Sequence, residues 1–133
     1  MTIEKSAQDF LQEAHAVVPP MAVSDAQELI ESGHAVVIDV RDGKEIEETG
    51  TVSNALCIPR GMIEFVADPS TDFYNDQISP DKDILLICGA GGMAALTGKT
   101  LFDMGYKKVH NLGGFSAWRD AGGSTQAPQR NEN

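Results

Sequence analysis

The chain has 133 residues, of which 41% are hydrophobic, and this size and composition fit one domain with a core of its own. Twenty acidic residues against ten basic ones give a formal net charge of −10, which repels nucleic-acid backbones, anionic membranes and small anionic substrates. The first ten residues have no apolar run and no later stretch is long enough to span a bilayer, so we expect a cytoplasmic protein without a signal peptide.

The first twenty residues contain apolar side chains at the spacing of one helix face, and this helix is expected to end before Pro19 and Pro20. The residues on that face are Ile3, Phe10, Leu11, Val17 and Val18. The pattern predicts an amphipathic arm over residues 1–20. Two placements stay open for this arm, because it can pack on the domain or on a second subunit in a homodimer.

A short helix and a buried strand are predicted next. Ser24 and Gln27, three positions apart, have the pattern of a capping box, and Gly33 is a suitable C-terminal end for this helix. Residues 35–40 read AVVIDV, a run with no polar side chain before Asp39. Such a run is typical of a strand that is buried on both faces of a parallel sheet.

Two further apolar runs, residues 55–58 and 84–87, predict the other central strands. The stretch between them, residues 60–83, carries enough apolar side chains to predict a short helix and an ordered loop. Residues 94–104 have helical spacing, and residues 109–112 predict a last strand, which is followed by a final helix.

Strands that alternate with helices predict an α/β fold, with a central parallel sheet of about five strands and helices on both faces. The domain is expected to span residues 21–122. The tail, residues 123–133, is polar and is predicted to be disordered.

The candidate site lies where the third strand runs into Cys88. Ligands of open parallel sheets bind beyond the carboxyl ends of the strands, where the N-termini of the following helices present free N–H groups. The residues after the cysteine carry little side-chain bulk, so their N–H groups can form a nest around the sulfur, and such a nest stabilises a thiolate. The predicted site consists of Cys88 as the nucleophile and of Gly89, Ala90, Gly91, Gly92 and Met93 as the anion-binding loop.

The two cysteines are too few for a disulfide scaffold, and a reducing compartment would keep both as thiols. A free cysteine is most often a small buried hydrophobic residue, and this alternative stays open for Cys88. Three glycines among the four residues after Cys88 favour a nucleophile instead. Cys57 lies in an apolar strand with no glycine near it, so it is predicted to be a small buried hydrophobic residue.

Other readings of the same region are disfavoured. Gly89, Gly91 and Ala94 match a dinucleotide-binding fingerprint, but the next strand, VHNL, lacks the acidic residue that would hold the ribose. Residues 98–100, GKT, resemble the end of a P-loop, but the partner glycine is displaced by one position. The three histidines are scattered and have no metal-ligand spacing with the cysteines, so no metal site and no cofactor are predicted. These histidines are His15, His34 and His110.

Four blocks in a characteristic order make the chain resemble a single-domain rhodanese over residues 21–122. The blocks are VIDVR with Glu45, residues 50–59, the loop that begins at Cys88, and residues 105–106 together with LGGFSAW at 112–118. The resemblance implies a three-layer rhodanese-like fold. It also implies that Cys88 takes sulfur from a small sulfane donor, holds it as a persulfide, and passes it to cyanide, to a thiol or to a protein that carries persulfides.

The resemblance also indicates what is missing. Related phosphatases have a longer loop and an arginine six positions after the nucleophile, where Ala94 stands here, so phosphate chemistry is disfavoured. Relatives in the family commonly carry one or two arginines in the loop, and Gly89 and Met93 occupy those positions. Without a guanidinium group, the grip on dianionic thiosulfate is expected to be weak. Arg60 either supplies the missing charge at the mouth of the site or pairs with a nearby acid.

Three polar residues near the end of the first strand are predicted to be structural. Arg41 and Glu45 are expected to pair with each other, and Asp39 is expected to hold a loop.

Two functions follow from the whole sequence. The first is a sulfurtransferase with low activity toward thiosulfate, and the alternative is a catalytically weak module that binds a protein partner or senses redox state.

Overall fold

The computed structural model describes residues 2–128. Helices and strands alternate along most of this range, which confirms the predicted α/β class. The helices are α1 (Ala7–Val17), α2 (Val23–Glu31), α3 (Gly43–Thr49), α4 (Ile63–Val66), α5 (Gly92–Met104) and α6 (Phe115–Asp120), with a 3₁₀ turn at Arg60–Met62. The strands are β1 (Ala35–Asp39), β2 (Thr51–Val52), β3 (Leu56–Cys57), β4 (Asp83–Cys88), β5 (Val109–Gly114) and β6 (Thr125–Gln126).

The central sheet has four parallel strands in the order β3-β1-β4-β5, one fewer than the five predicted. The four apolar runs that predicted strands are the four strands of this sheet. β2 and β6, with two residues each, pair with each other in a separate antiparallel sheet and do not extend it. β1 and β4 occupy the middle of the parallel sheet. Their side chains are buried on both faces, which explains why their sequences show no polar alternation.

The two faces of the sheet carry separate clusters of buried side chains. Ile38 and Leu86 belong to one cluster, together with Leu101 of α5. Val37 and Leu85, one position away on the same strands, belong to the other, together with Trp118 of α6. Side chains alternate between the faces of a strand, so these two clusters form the three-layer arrangement of helices, sheet and helices.

The N-terminal arm lies on the domain. Helix α1 packs against α5, and Val18, just after α1, is fully buried in the first cluster. Ser6 and Asp9 form a capping box at the start of α1, which the sequence analysis did not identify. The box predicted at Ser24 is wrong. Helix α2 is preceded by Ala22 and has no side-chain cap.

The tail differs from its predicted disorder as far as the structure describes it. Thr125 and Gln126 form β6, which pairs with β2. The indole N–H of Trp118 donates to the Ser124 carbonyl oxygen at 3.0 Å, and the backbone N–H of Ser124 donates to Gln27 Oε1 at 3.1 Å. The remainder of the predicted tail, residues 129–133, lies outside the described residues.

Within residues 2–128, no helix has both the length and the apolar character needed to cross a membrane.

Candidate functional site

Cys88 is the last residue of β4. A turn of three residues connects it to α5, which begins at Gly92. Cys88 is buried, with 2% of its surface exposed, and its side chain is part of the core face that α5 covers. Gly91 has φ +99°, a left-handed conformation that glycine adopts without strain. This glycine lets the chain turn sharply enough to bring the start of α5 back over the sulfur.

Two backbone N–H groups donate hydrogen bonds to the Cys88 sulfur. Gly91 N lies 3.0 Å from Sγ, and Ala94 N lies 3.3 Å from it. Gly91 belongs to the predicted loop, whereas Ala94 was not among the predicted site residues. It could have been expected, because the third residue of a helix has a free N–H group.

The remaining N–H groups of the loop make no hydrogen bond within residues 2–128. They belong to Gly89, Ala90, Gly92 and Met93. Gly89, Ala90 and Met93 are also exposed. The loop therefore holds the sulfur with two donors and leaves four more available to a negatively charged group close to it.

Asn111 of β5 holds the loop from the side and was missed by the sequence analysis as a site residue. Its Nδ2 donates to the Gly91 carbonyl oxygen at 3.0 Å, and its Oδ1 accepts from the Gly113 N–H group at 2.7 Å. The sequence signal for this role was the polar side chain of Asn111 on β5, the strand next to the one that ends at Cys88. Gly114 contributes by its lack of a side chain, since a Cβ there would lie 2.4 Å from the Gly89 carbonyl oxygen.

Arg41 pairs with Asp39, not with Glu45 as predicted. The Arg41 Nη2 to Asp39 Oδ2 distance is 2.8 Å, and both residues are buried. Thr51 Oγ1 donates to the same carboxylate at 2.7 Å, and Arg41 also donates to the Gly50 carbonyl oxygen at 2.9 Å. Removing one partner of a buried pair costs about 3–5 kcal/mol, so this group is structural. Through the hydrogen bond from Thr51, Asp39 contacts the first residue of β2.

Glu45 places its carboxylate beside the loop. Its Oε1 atom lies 3.7 Å from the position that a Cβ on Gly89 would occupy.

Arg60, the cation predicted as a candidate for the mouth of the site, donates to Glu64 Oε1 and Thr100 Oγ1, each at 2.9 Å. No arginine or lysine side chain within residues 2–128 donates a hydrogen bond to the residues of the loop. In the described part of the chain, the donors that the loop offers to an anion are therefore backbone N–H groups.

Cys57 is exposed at the end of β3, so the prediction of a buried residue is wrong. β3 is an edge strand of only two residues, and its end is left uncovered. Although the side chain reaches solvent, partial burial raises the pKa of the Cys57 thiol, and the nearby Asp39 carboxylate raises it further. Asp39 pairs with both Cys57 and Ile87 in register, so Cys57 shares a sheet face with Ile87, and Cys88 points to the other face.

Comparison with known proteins agrees with this geometry. The chain matches the family described as rhodanese-like domain over residues 22–121. Thiosulfate sulfurtransferase 18 of Arabidopsis thaliana is 34% identical over 109 residues, which cover 74% of this chain and 76% of the relative. A protein named sulfurtransferase from Allochromatium vinosum is 28% identical, and the match covers 78% of this chain and 90% of that protein.

A solved structure is also similar over nearly the whole chain. It is a protein of unknown function from Rhodopseudomonas palustris, described as a possible tyrosine phosphatase. It shares 38% sequence identity and has a TM-score of 0.85, with 95% of this chain and 98% of that chain covered. The family match spans most of the sequence and includes every strand of the parallel sheet. The chain therefore belongs to the rhodanese-like domain family.

Proposed function

We propose that the protein is a rhodanese-type sulfurtransferase in which Cys88 carries sulfane sulfur as a persulfide. The observation that carries the proposal is the sulfur at the start of α5, which accepts hydrogen bonds from the N–H groups of Gly91 and Ala94, while the other N–H groups of the loop have no partner within residues 2–128. Such donors stabilise an anionic sulfur. Relatives named sulfurtransferases support the same kind of chemistry.

The proposed reaction has two balanced steps. In the first, the Cys88 thiolate attacks the outer sulfur of a donor. A new S–S bond forms on Cys88 as the S–S bond of the donor breaks, and the rest of the donor leaves with the electron pair of that bond, as sulfite from thiosulfate or as a thiolate from an organic persulfide. In the second, an acceptor such as cyanide or a thiolate attacks the outer sulfur. The Cys88 thiolate then leaves, and thiocyanate or a new persulfide is released.

The charges around the loop favour an organic persulfide over thiosulfate as the donor. The described residues place no cationic side chain on the loop, while Glu45 lies beside Gly89. The formal net charge of −10 adds repulsion toward a dianion. A singly charged persulfide needs less compensation than dianionic thiosulfate, and the backbone donors suffice for it.

Phosphatase chemistry fits the loop less well, although one similar structure is described as a possible tyrosine phosphatase. The position six residues after Cys88 is Ala94, which is fully buried and has only a methyl group. A phosphoryl group carries two negative charges that arginine stabilises by paired hydrogen bonds. The backbone donors of this loop do not replace that charge.

The test is to incubate the protein with an organic persulfide or with thiosulfate and to analyse Cys88 by mass spectrometry. We expect an added mass of one sulfur atom on Cys88, with the organic persulfide giving faster loading than thiosulfate. The variant Cys88→Ser should lose the adduct and all sulfur transfer. Cys57→Ser is the matched control, and it should keep both.

An unmodified Cys88 with every donor would contradict the proposal. That result would favour the alternative from the sequence, a module that binds a protein partner or senses redox state. In that case, the Cys88→Ala variant would keep partner binding.

A further inference from the structure

A groove lies between the Cys88 loop and the N-terminal arm. Leu11 and His15 of α1 line one side, and residues 90–92 of the loop line another. The remaining lining residues come from the linker before α2 and from β5, including Asn111. The cavity measures about 310 Å³. This volume lies at the small end of the roughly 300–1,000 Å³ that is typical of ligand sites.

The groove is continuous with the residues that hold the sulfur. Gly91 lines it and also donates its N–H group to Cys88 Sγ. Asn111 lines it and binds the Gly91 carbonyl oxygen. Ala90 and Gly92 line it as well, and their N–H groups have no partner in the described part of the chain. A molecule in the groove would therefore contact the same loop that positions the reacting sulfur.

The chemistry of the lining suits an organic molecule. None of its ten residues is acidic, although the chain has twenty acidic residues. Leu11 supplies apolar surface, and the exposed His15 supplies an imidazole. Thiosulfate and cyanide have no organic body that could use such a surface. A thiol with an organic body can place that body here and its sulfur at the loop.

The wall formed by the arm lies outside the range that matches the family. Residues 11 and 15 precede the matched range, 22–121. We propose that this groove binds the organic body of a low-molecular-weight thiol acceptor and makes the protein select such thiols over cyanide. The inference rests on the proposed function. In the transfer step, the acceptor thiolate attacks the outer persulfide sulfur, the S–S bond to Cys88 breaks, and the Cys88 thiolate leaves.

The test compares two acceptors on the same persulfide-loaded protein, glutathione with an organic body and cyanide without one. His15→Trp places a larger side chain in the groove. We expect the ratio of the glutathione rate to the cyanide rate to fall at least about fivefold. Gln12→Trp is the matched control, because Gln12 is also exposed on α1 but does not line the groove. This control should keep the ratio of the unmodified protein.

A loss of equal size for both acceptors, or no change in the ratio, would overturn the groove assignment. A protein that never forms the persulfide would refute the proposed function instead. S-methylglutathione, which cannot react, then tests the groove alone. It should shift the amide NMR signals of Ala90 and Gly92 in the unmodified protein, and less so in His15→Trp. Unshifted signals at millimolar ligand concentration would refute the groove.

Discussion

Among the described residues, Asn111 is the side chain of β5 that hydrogen-bonds the Cys88 loop. Its amide group bonds both the Gly91 carbonyl oxygen and the Gly113 N–H group. Its backbone accepts a hydrogen bond from Met21 N–H and donates one to the Pro19 carbonyl oxygen. Within residues 2–128, Asn111 makes no hydrogen bond to Cys88, and it reaches the sulfur through Gly91, whose N–H group donates to Sγ. It is a positioning residue that connects the loop with the linker of the arm.

The variant Asn111→Asp should slow persulfide formation. Aspartate keeps the acceptor for Gly113 but loses the donor to Gly91 and brings a carboxylate toward the Gly91 carbonyl oxygen. The lost hydrogen bond is worth about 0.5–1.5 kcal/mol, which corresponds to roughly a two- to tenfold lower rate. Steady-state kinetics should show the loss in kcat, with KM for the donor little changed.

A matched control for Asn111→Asp is Asn54→Asp, which adds the same charge at an exposed position. It should keep the kcat of the unmodified protein. Equal losses in the two variants would mean that charge alone, and not the bond to Gly91, explains the effect. A loss of thermal stability in Asn111→Asp with unchanged kcat would assign a purely structural role to the side chain.

Cys57 should react slowly with alkylating reagents despite its exposure. Burial and Asp39 raise its pKa above the usual value of 9.0, so that less thiolate is present at any pH below that range. In a Cys88→Ser background, the alkylation rate should be lower in the folded protein than in urea at pH 8. The folded rate should rise as the pH passes above 9. Equal rates in folded and unfolded protein would contradict this prediction.

At the scale of elements, the contact between α1 and α5 depends on Gly98. A Cβ at this position would lie 2.6 and 2.8 Å from the two methyl carbons of Val18 and 3.1 Å from Leu86 Cδ1. Val18 is fully buried, and its branched side chain has few alternative rotamers. The glycine therefore allows the end of the arm to lie directly on α5.

Gly98→Val should reduce the free energy of unfolding by about 2 kcal/mol, because overpacking in a close contact outweighs the better helix propensity of valine. Denaturant unfolding followed by circular dichroism measures this change. Gly43→Val is the control, since an added Cβ at Gly43 meets nothing within 4 Å, and it should change stability by less than about 0.5 kcal/mol. In a Val18→Ala background, Gly98→Val should cost less, and an undiminished cost would argue against the contact.

Long apolar runs and the glycine loop made much of the fold and the core of the site predictable. β1, β4 and the turn after Cys88 have local patterns that only a buried strand and a tight turn explain. β2 and β6 have two residues each and pair across more than seventy positions, so no local pattern reveals them. Gln27 was expected to cap α2, but it binds the distant Ser124 instead. Asn111 was missed for the same reason, because its hydrogen bonds to Gly91 and to the linker of the arm join residues that are far apart in the sequence.

At the scale of the whole molecule, segments at both ends of the chain complete the core. The arm buries Val18 against the face of the sheet that α5 covers. On the opposite face, Trp118 is fully buried and bonds Ser124. Gly123 lies so close to the indole that a Cβ there would be 2.2 Å from it. Both segments extend beyond the matched family range, so the folded unit is larger than the predicted domain of residues 21–122.

The opposite orientation of the two cysteines has a consequence for oxidative damage. Cys57 lies two strands away from Ile87, and two strand spacings amount to about 9.6 Å, beyond the roughly 7 Å limit for a disulfide. The chain contains no third cysteine. Cys57 therefore cannot resolve a sulfenic acid on Cys88, and its reduction requires a thiol from outside this domain.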